Sequence, residues 1–157
     1  MKGPELEDEM VRIEGATLNR RPVEDVFDFV ADERNEPRYN PAMVRAEKLT
    51  DGPIGPGTHW SATVLARGKP LDMDIEVTQY ERPRRLASTT TMSTAEVQGV
   101  LTFEPDVAGT RMSWWWELRP KGVYKLIGPL IARTGWRQET EIWEGLRLYL
   151  EGGRRAR

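Results

Sequence analysis

The chain of 157 residues contains no cysteine and a single histidine, His59. The lack of thiols excludes disulfides, thiolate catalysis, zinc ribbons and iron–sulfur ligation together. One imidazole leaves few routes to acid–base chemistry near neutral pH. An excess of charge of one sign is also missing, since 23 basic residues face 25 acidic ones for a formal net charge of -2. That balance gives no global attraction to nucleic acid or anionic lipid, although basic residues can still cluster locally. Long hydrophobic runs are absent too. The longest, residues 126–132, covers seven positions with Gly128 and Pro129 counted, far from the ~20 that span a bilayer. The start of the chain, with Glu5, Glu7, Asp8 and Glu9, has no apolar stretch and does not read as a signal peptide. A cytoplasmic protein with no integral membrane association and no nucleic-acid partner is expected.

What is present is ordinary for a globular protein: 38% apolar and 31% charged residues. A chain of this length folds as one domain that buries roughly 70% of its unfolded surface. Residues 1–9 read as an acidic leader, residues 10–151 as the domain and residues 152–157 as a basic tail with Arg154, Arg155 and Arg157. Alternation of Val11 and Ile13 with Arg12 and Glu14 predicts a first strand. Pro22 followed by Glu24 and Asp25 predicts a helix start, and Val23, Val26, Phe27 and Val30 form its apolar stripe. A second helix must be short, because Pro37 and Pro41 confine it.

Residues 43–119 change to period two, broken at Gly- and Pro-rich positions into six further strands. Trp60, Ala62 and Val64 share one face, Leu71, Met73, Ile75 and Val77 another apolar row, and Met112, Trp114 and Trp116 a third. These parities mark the inward side. A helical period returns over residues 121–151, where Gly128-Pro129 must kink or split it. Strands and helices segregate along the chain, which predicts an antiparallel α+β fold with the sheet wrapped around the last helix.

The segment Arg21-Pro22-Val23-Glu24-Asp25-Val26-Phe27-Asp28-Phe29-Val30, the Tyr39-Asn40-Pro41 end of the second helix, and Gly99-Val100-Leu101-Thr102-Phe103-Glu104-Pro105 leading to Gly109-Thr110-Arg111 carry a resemblance. In these motifs and in the order of its elements the chain resembles the START/Bet v 1-like (SRPBCC, helix-grip) superfamily, and within it the polyketide cyclase/dehydrase and lipid-transport group. The resemblance implies a curved seven-stranded antiparallel sheet around a long C-terminal helix, with two short helices after the first strand. It also implies a deep, mostly apolar cavity between sheet and helix. Tyr39, where such proteins usually show Trp, would put a hydroxyl at the cavity mouth.

Small or polar residues at inward positions fit such a cavity, among them Ala62, Ser88, Thr90, Gly99, Thr134, Gly135 and Gly145. Thr134 and Gln138 fall between Ile131 and Ile142 on the helical stripe expected to face the sheet. Gln138 either contacts a ligand or bonds to Ser88 or Thr90, since a buried amide needs a partner. Tyr39, Trp60, Val64, Met73, Ser88, Thr90, Trp114, Trp116, Thr134 and Gln138 are therefore the candidate ligand-binding residues. Trp114 and Trp116 point inward, to stack on a ligand or to pack on the last helix, while Trp115 points outward and leaves a homodimer open.

His59 has the parity of solvent-facing positions. Asp72, Asp74 and Glu76 alternate along a strand and lack the loop geometry of a calcium site. The glycines of residues 52–57 lack the Lys-Ser/Thr of a phosphate cradle. Catalysis requires an acid or base within ~3 Å of the proton it moves, and the expected inward set supplies hydroxyls and one amide without carboxylate or histidine. No catalytic residue, metal ligand or cofactor is assigned on these grounds. Binding or carriage of a small hydrophobic molecule, whether lipid, polyketide or aromatic metabolite, is the first expectation. The alternatives are a polyketide aromatase/cyclase or dehydrase and a co-chaperone-like interaction module.

Overall fold

In the computed structural model, residues 10–152 are described. The acidic leader and all of the basic tail but Gly152 lie outside them. Strand β1 (Val11–Asn19) leads to helix α1 (Val23–Ala31) and a 3-10 helix (Glu33–Arg38). Strands β2 (Met43–Lys48), β3 (His59–Ala66), β4 (Lys69–Glu81), β5 (Arg85–Thr91), β6 (Ala95–Asp106) and β7 (Gly109–Pro120) follow. A second 3-10 helix (Gly122–Ile127) feeds the long helix α2 (Gly128–Gly152). The strands form one seven-stranded antiparallel sheet in the order β1-β7-β6-β5-β4-β3-β2.

Local chemistry explains the short elements. Pro22 occupies the N-cap position of α1, Glu24 and Asp25 sit in its positive first turn, and Val23, Val26, Phe27 and Val30 are buried. With Pro37 inside it, the next segment forms a 3-10 helix, opened by the Asp32 carboxylate accepting from the Arg34 amide at 3.1 Å. The expected break at Gly128-Pro129 is also found: the chain is 3-10 before it, and Pro129 stands in the first turn of α2, where a missing N–H costs nothing.

Two groups of buried side chains make the interior. The larger joins β1, α1 and the C-terminal half of α2 through Ile13, Phe27, Phe103, Met112, Trp143 and Leu146. Its aromatic rings meet edge to face, Phe27 lying 5.2 Å from Tyr80 and 5.1 Å from Phe103. The smaller joins β2, β3 and β4 through Met43, Trp60, Ala62, Ile75 and Val77. Asp28 on α1 grips the Arg82 guanidinium with two hydrogen bonds of 2.7 and 2.8 Å, tying the helix to the β4–β5 turn.

Candidate carboxylate-lined ligand site

Helix α2 runs closest to β1, one edge of the sheet. Its C-terminal half seals the larger core with Trp143 and Leu146, whereas its N-terminal half contributes only Gly128 to the fully buried set. The concave face of the central strands is correspondingly part-exposed at Val64, Met73, Ser88, Thr90, Val97 and Trp116. The register aligns these residues in a band. Ala62 pairs with Met73, Ile75 with Thr90, Thr90 with Val97 and Gly99 with Trp116.

Where α2 changes from packed to open, three carboxylates converge. Glu139 from α2 turns inward and accepts a hydrogen bond from the Trp143 indole at 2.9 Å. Enclosure by protein pushes its carboxyl up from 4.5 to about 7, helped by the charge of Glu36 and opposed by the indoles of Trp116 and Trp143. Glu33 and Glu36 approach from the 3-10 helix. Burial, first, and the adjacent Glu36, Asp32 and Glu139 raise Glu33 well above the usual carboxylate range. Asn40 donates to Glu36 at 2.8 Å and receives the Ala42 amide at 3.1 Å, which fixes the end of the 3-10 helix.

Tyr39 completes the cluster. Its ring lies 6.0 Å from both Phe29 and Trp143 and is 6% exposed. Burial and the neighbouring Glu36, Glu33 and Glu139 hold its phenol well above the ordinary tyrosine range. Tyr39 is thus a hydrogen-bond donor at neutral pH and no source of phenolate. Arg38, its neighbour in the chain, reaches the Tyr149 hydroxyl at 3.4 Å instead.

The sequence-based candidates separate into groups. Trp60 lies at the floor of the smaller core, 5.7 Å beneath the Arg34 guanidinium, with Val64 and Met73 packed against that core. Ser88 and Thr90 stand in the part-exposed band. Trp114 is buried in the larger core, and Trp116 packs at its border beside Glu139. Thr134 and Gln138 require a correction: both are exposed, and among the described residues Gln138 makes no hydrogen bond to Ser88 or Thr90. Their neighbours Gly135 and Glu139 take the inward positions. Gly135 brings α2 against β1, where an added Cβ would lie 3.3 Å from the Ile13 side chain. That approach rotates the helix so that Ala132, Gly135, Glu139, Ile142 and Leu146 form the inner stripe.

A second correction concerns the small inward residues. Gly99 does not leave space: a Cβ there would collide with the Trp116 ring, because the indole lies flat over it. Gly15 seats the ring of Trp114 in the same way. Gly145 lets α2 touch the backbone of Tyr39, whose carbonyl oxygen would be 2.6 Å from a Cβ. The inward set also includes the carboxylate that sequence reasoning missed. Glu139 is four residues before Trp143 and seven before Leu146, the spacing of the buried stripe, and that spacing was its available signal.

Outside this region, His59 faces Asp74 at 3.6 Å and Glu76 at 3.8 Å on the solvent side of β3 and β4. Asp72 accepts from Thr63 at 2.8 Å. No group of acids and histidines suited to a metal occurs among the described residues. Trp115 is half-exposed on the outer face, but Arg12 lies 5.4 Å over its ring and covers it. A shallow groove of about 590 Å³ runs beside Trp115, lined by Arg85, Val100, Arg111 and Ser113. No helix among the described residues is long and apolar enough to cross a membrane.

The architecture is shared with solved proteins. A START superfamily protein from Mycobacterium smegmatis superposes with a TM-score of 0.76 at 14% identity, covering 90% of this chain and 97% of that one. A protein from Thermus thermophilus gives 0.75 at 18% identity, with 92% and 98% covered. The di-domain ARO/CYC StfQ from the steffimycin biosynthetic pathway gives 0.77 at 12% identity, with 94% of this chain and 52% of that chain covered. At these identities the likeness is one of fold. No curated protein matches the sequence. Residues 10–150, however, match one family from end to end of the described domain. The chain has the helix-grip fold of the START/Bet v 1-like superfamily and belongs to the polyketide cyclase / dehydrase and lipid transport family.

Proposed function

We propose that the protein binds and carries a small, largely apolar molecule between the concave face of the sheet and α2, with the molecule's polar end at Glu33, Glu36, Tyr39 and Glu139. The observation that carries this reading is the band of part-exposed residues Val64, Met73, Thr90, Val97 and Trp116, which runs to three inward carboxyls. An apolar wall ending in a few convergent polar groups is the usual composition of a small-molecule site. Protonated carboxyls and the phenol donate hydrogen bonds, and ionised carboxyls accept them. A ligand with a hydroxyl, carbonyl or amine at one end suits the cluster, whereas a ligand with a carboxylate there meets like charge.

Native mass spectrometry of freshly purified protein, followed by extraction and identification of any bound molecule, tests the reading. The expected result is a discrete apolar ligand whose affinity falls about 5- to 150-fold in Glu139→Gln, as a polar contact worth ~1–3 kcal/mol is lost. Affinity unchanged in Glu139→Gln and in Tyr39→Phe would remove the carboxylate end from the proposal. Empty protein that also takes up no lipid, polyketide or aromatic probe in solution would remove the carrier reading.

Glu139 also favours a second reading, a cyclase or dehydrase. A carboxyl poised near neutrality can take and return a proton at working pH. Turnover of a polyketide-like substrate with a pH inflection near 7 that disappears in Glu139→Gln would establish it. Binding without product in both proteins would leave the carrier.

A further inference from the structure

The N-terminal approach to α2 carries an unusual surface. Leu126 is 83% exposed and Val123 73%, and Tyr124, Ile127, Leu130 and Trp136 are each at least 40% exposed. Residues 121–138 contain Lys121, Lys125, Arg133 and Arg137 and no acid, while residues 139–152 contain four glutamates and one arginine. The helix is therefore polarised along its length, in a protein of nearly balanced charge. Next to this end, Arg119, Lys121 and Lys125 surround a shallow hollow of about 370 Å³, opposed by the single carboxylate of Glu96. The Lys121 ammonium donates to the Met92 carbonyl at 2.7 Å, which keeps it at the rim of that hollow.

Exposed aliphatics alone would fit several occupants. The combination of aliphatics with Tyr124 and Trp136, on a segment whose charged residues are all cations, fits one: the interface of a bilayer bearing anionic phosphate headgroups. There, apolar side chains enter the acyl boundary, aromatic rings settle at headgroup level, and basic residues meet phosphate. We infer that residues 121–137 seat the protein peripherally on an anionic phospholipid surface, with Leu126 and Leu130 inserted and Arg133 and Arg137 at headgroup level. The inference needs no ligand in the concave site and stands apart from the proposed function.

Co-sedimentation of the full chain with vesicles tests it. Vesicles of phosphatidylcholine with phosphatidylglycerol should retain the protein, pure phosphatidylcholine should retain much less, and added salt should release it. Arg133→Glu combined with Arg137→Glu should lower the partition coefficient roughly tenfold or more, and Leu126→Ser with Leu130→Ser should release the protein even at low salt. Arg84→Glu, in the β4–β5 turn, should leave retention unchanged. All these positions are exposed, and circular dichroism of each variant checks that it is folded before retention is compared. The inference is overturned if the unaltered protein stays in the supernatant with anionic vesicles at low salt, or if Arg84→Glu weakens retention as much as the α2 pair. It is equally overturned if sedimentation velocity shows a dimer that the leucine changes dissociate while vesicle retention persists.

Discussion

Glu139 is held in an environment that penalises its charge, and the penalty has a sign and a pH window. Its carboxyl titrates near 4.5 in an unfolded chain and at about 7 in the folded one. Between those values the folded state binds more protons than the unfolded state, so stability falls as pH rises and levels off above the folded value. One unit is worth about 1.4 kcal/mol, so this residue costs at most about 3 kcal/mol at pH 8. The raised carboxyl of Glu33 acts in the same direction. Glu139→Gln keeps an oxygen for the Trp143 indole and removes the charge. Chemical denaturation should find the variant more stable than the parent by about 1–3 kcal/mol at pH 8 and similar to it at pH 4.5. A variant less stable at pH 8 would mean that the ionised carboxylate is well solvated. A residue that costs stability at working pH fits the trade of stability for function seen at binding and catalytic sites.

At the scale of elements, α2 and the 3-10 helix meet through Gly145, and here two effects of opposite sign compete. Alanine is a better helix former than glycine by about 1 kcal/mol. A methyl group at residue 145, however, would lie 2.6 Å from the Tyr39 carbonyl oxygen. Forcing backbone elements apart costs about 1–3 kcal/mol, so Gly145→Ala should destabilise despite its propensity. It should also loosen Tyr39 against Trp143, seen as a change in near-ultraviolet circular dichroism. A stabilised variant with an unchanged spectrum would show that the helix relaxes freely.

The same elements show what was legible in the sequence. Strand parity and turn residues located the strands, and Pro22, Pro37 and Pro129 set the helix boundaries, because those signals are local. The inner stripe of α2 was misread by one residue, since Ile131 and Ile142 are three turns apart and admit either Gln138 or Glu139 between them. Gly135 and Gly145 decide between the two by allowing close approach to Ile13 and Tyr39, and those contacts bridge more than 100 positions of sequence. The flat seats of Trp114 on Gly15 and Trp116 on Gly99 are likewise cross-strand facts. A small residue read along the sequence as space was, in three dimensions, already filled.

At the scale of the whole molecule, the two cores are joined by a sheet whose centre is only part-covered, and this has a thermodynamic consequence. The C-terminal half of α2 is fixed by Trp143 and Leu146, but the N-terminal half rests mainly against β1. A ligand lying on Met73, Thr90, Val97 and Trp116 would supply the missing apolar contact. Bound at a hundred times its dissociation constant, it would stabilise the fold by about 2.7 kcal/mol, equivalent to roughly 5–10 °C in Tm for a chain of this size. Stripping co-purified apolar molecules on a hydrophobic resin should lower Tm by that amount, and returning the extract should restore it. Hydrogen exchange should place the change in the first half of α2 and in β4 to β6, with α1 and the C-terminal half of α2 unaffected. An unchanged Tm, with equal exchange in the stripped and replenished protein, would mean that the concave face is stable without an occupant, and the carrier reading would fail with it.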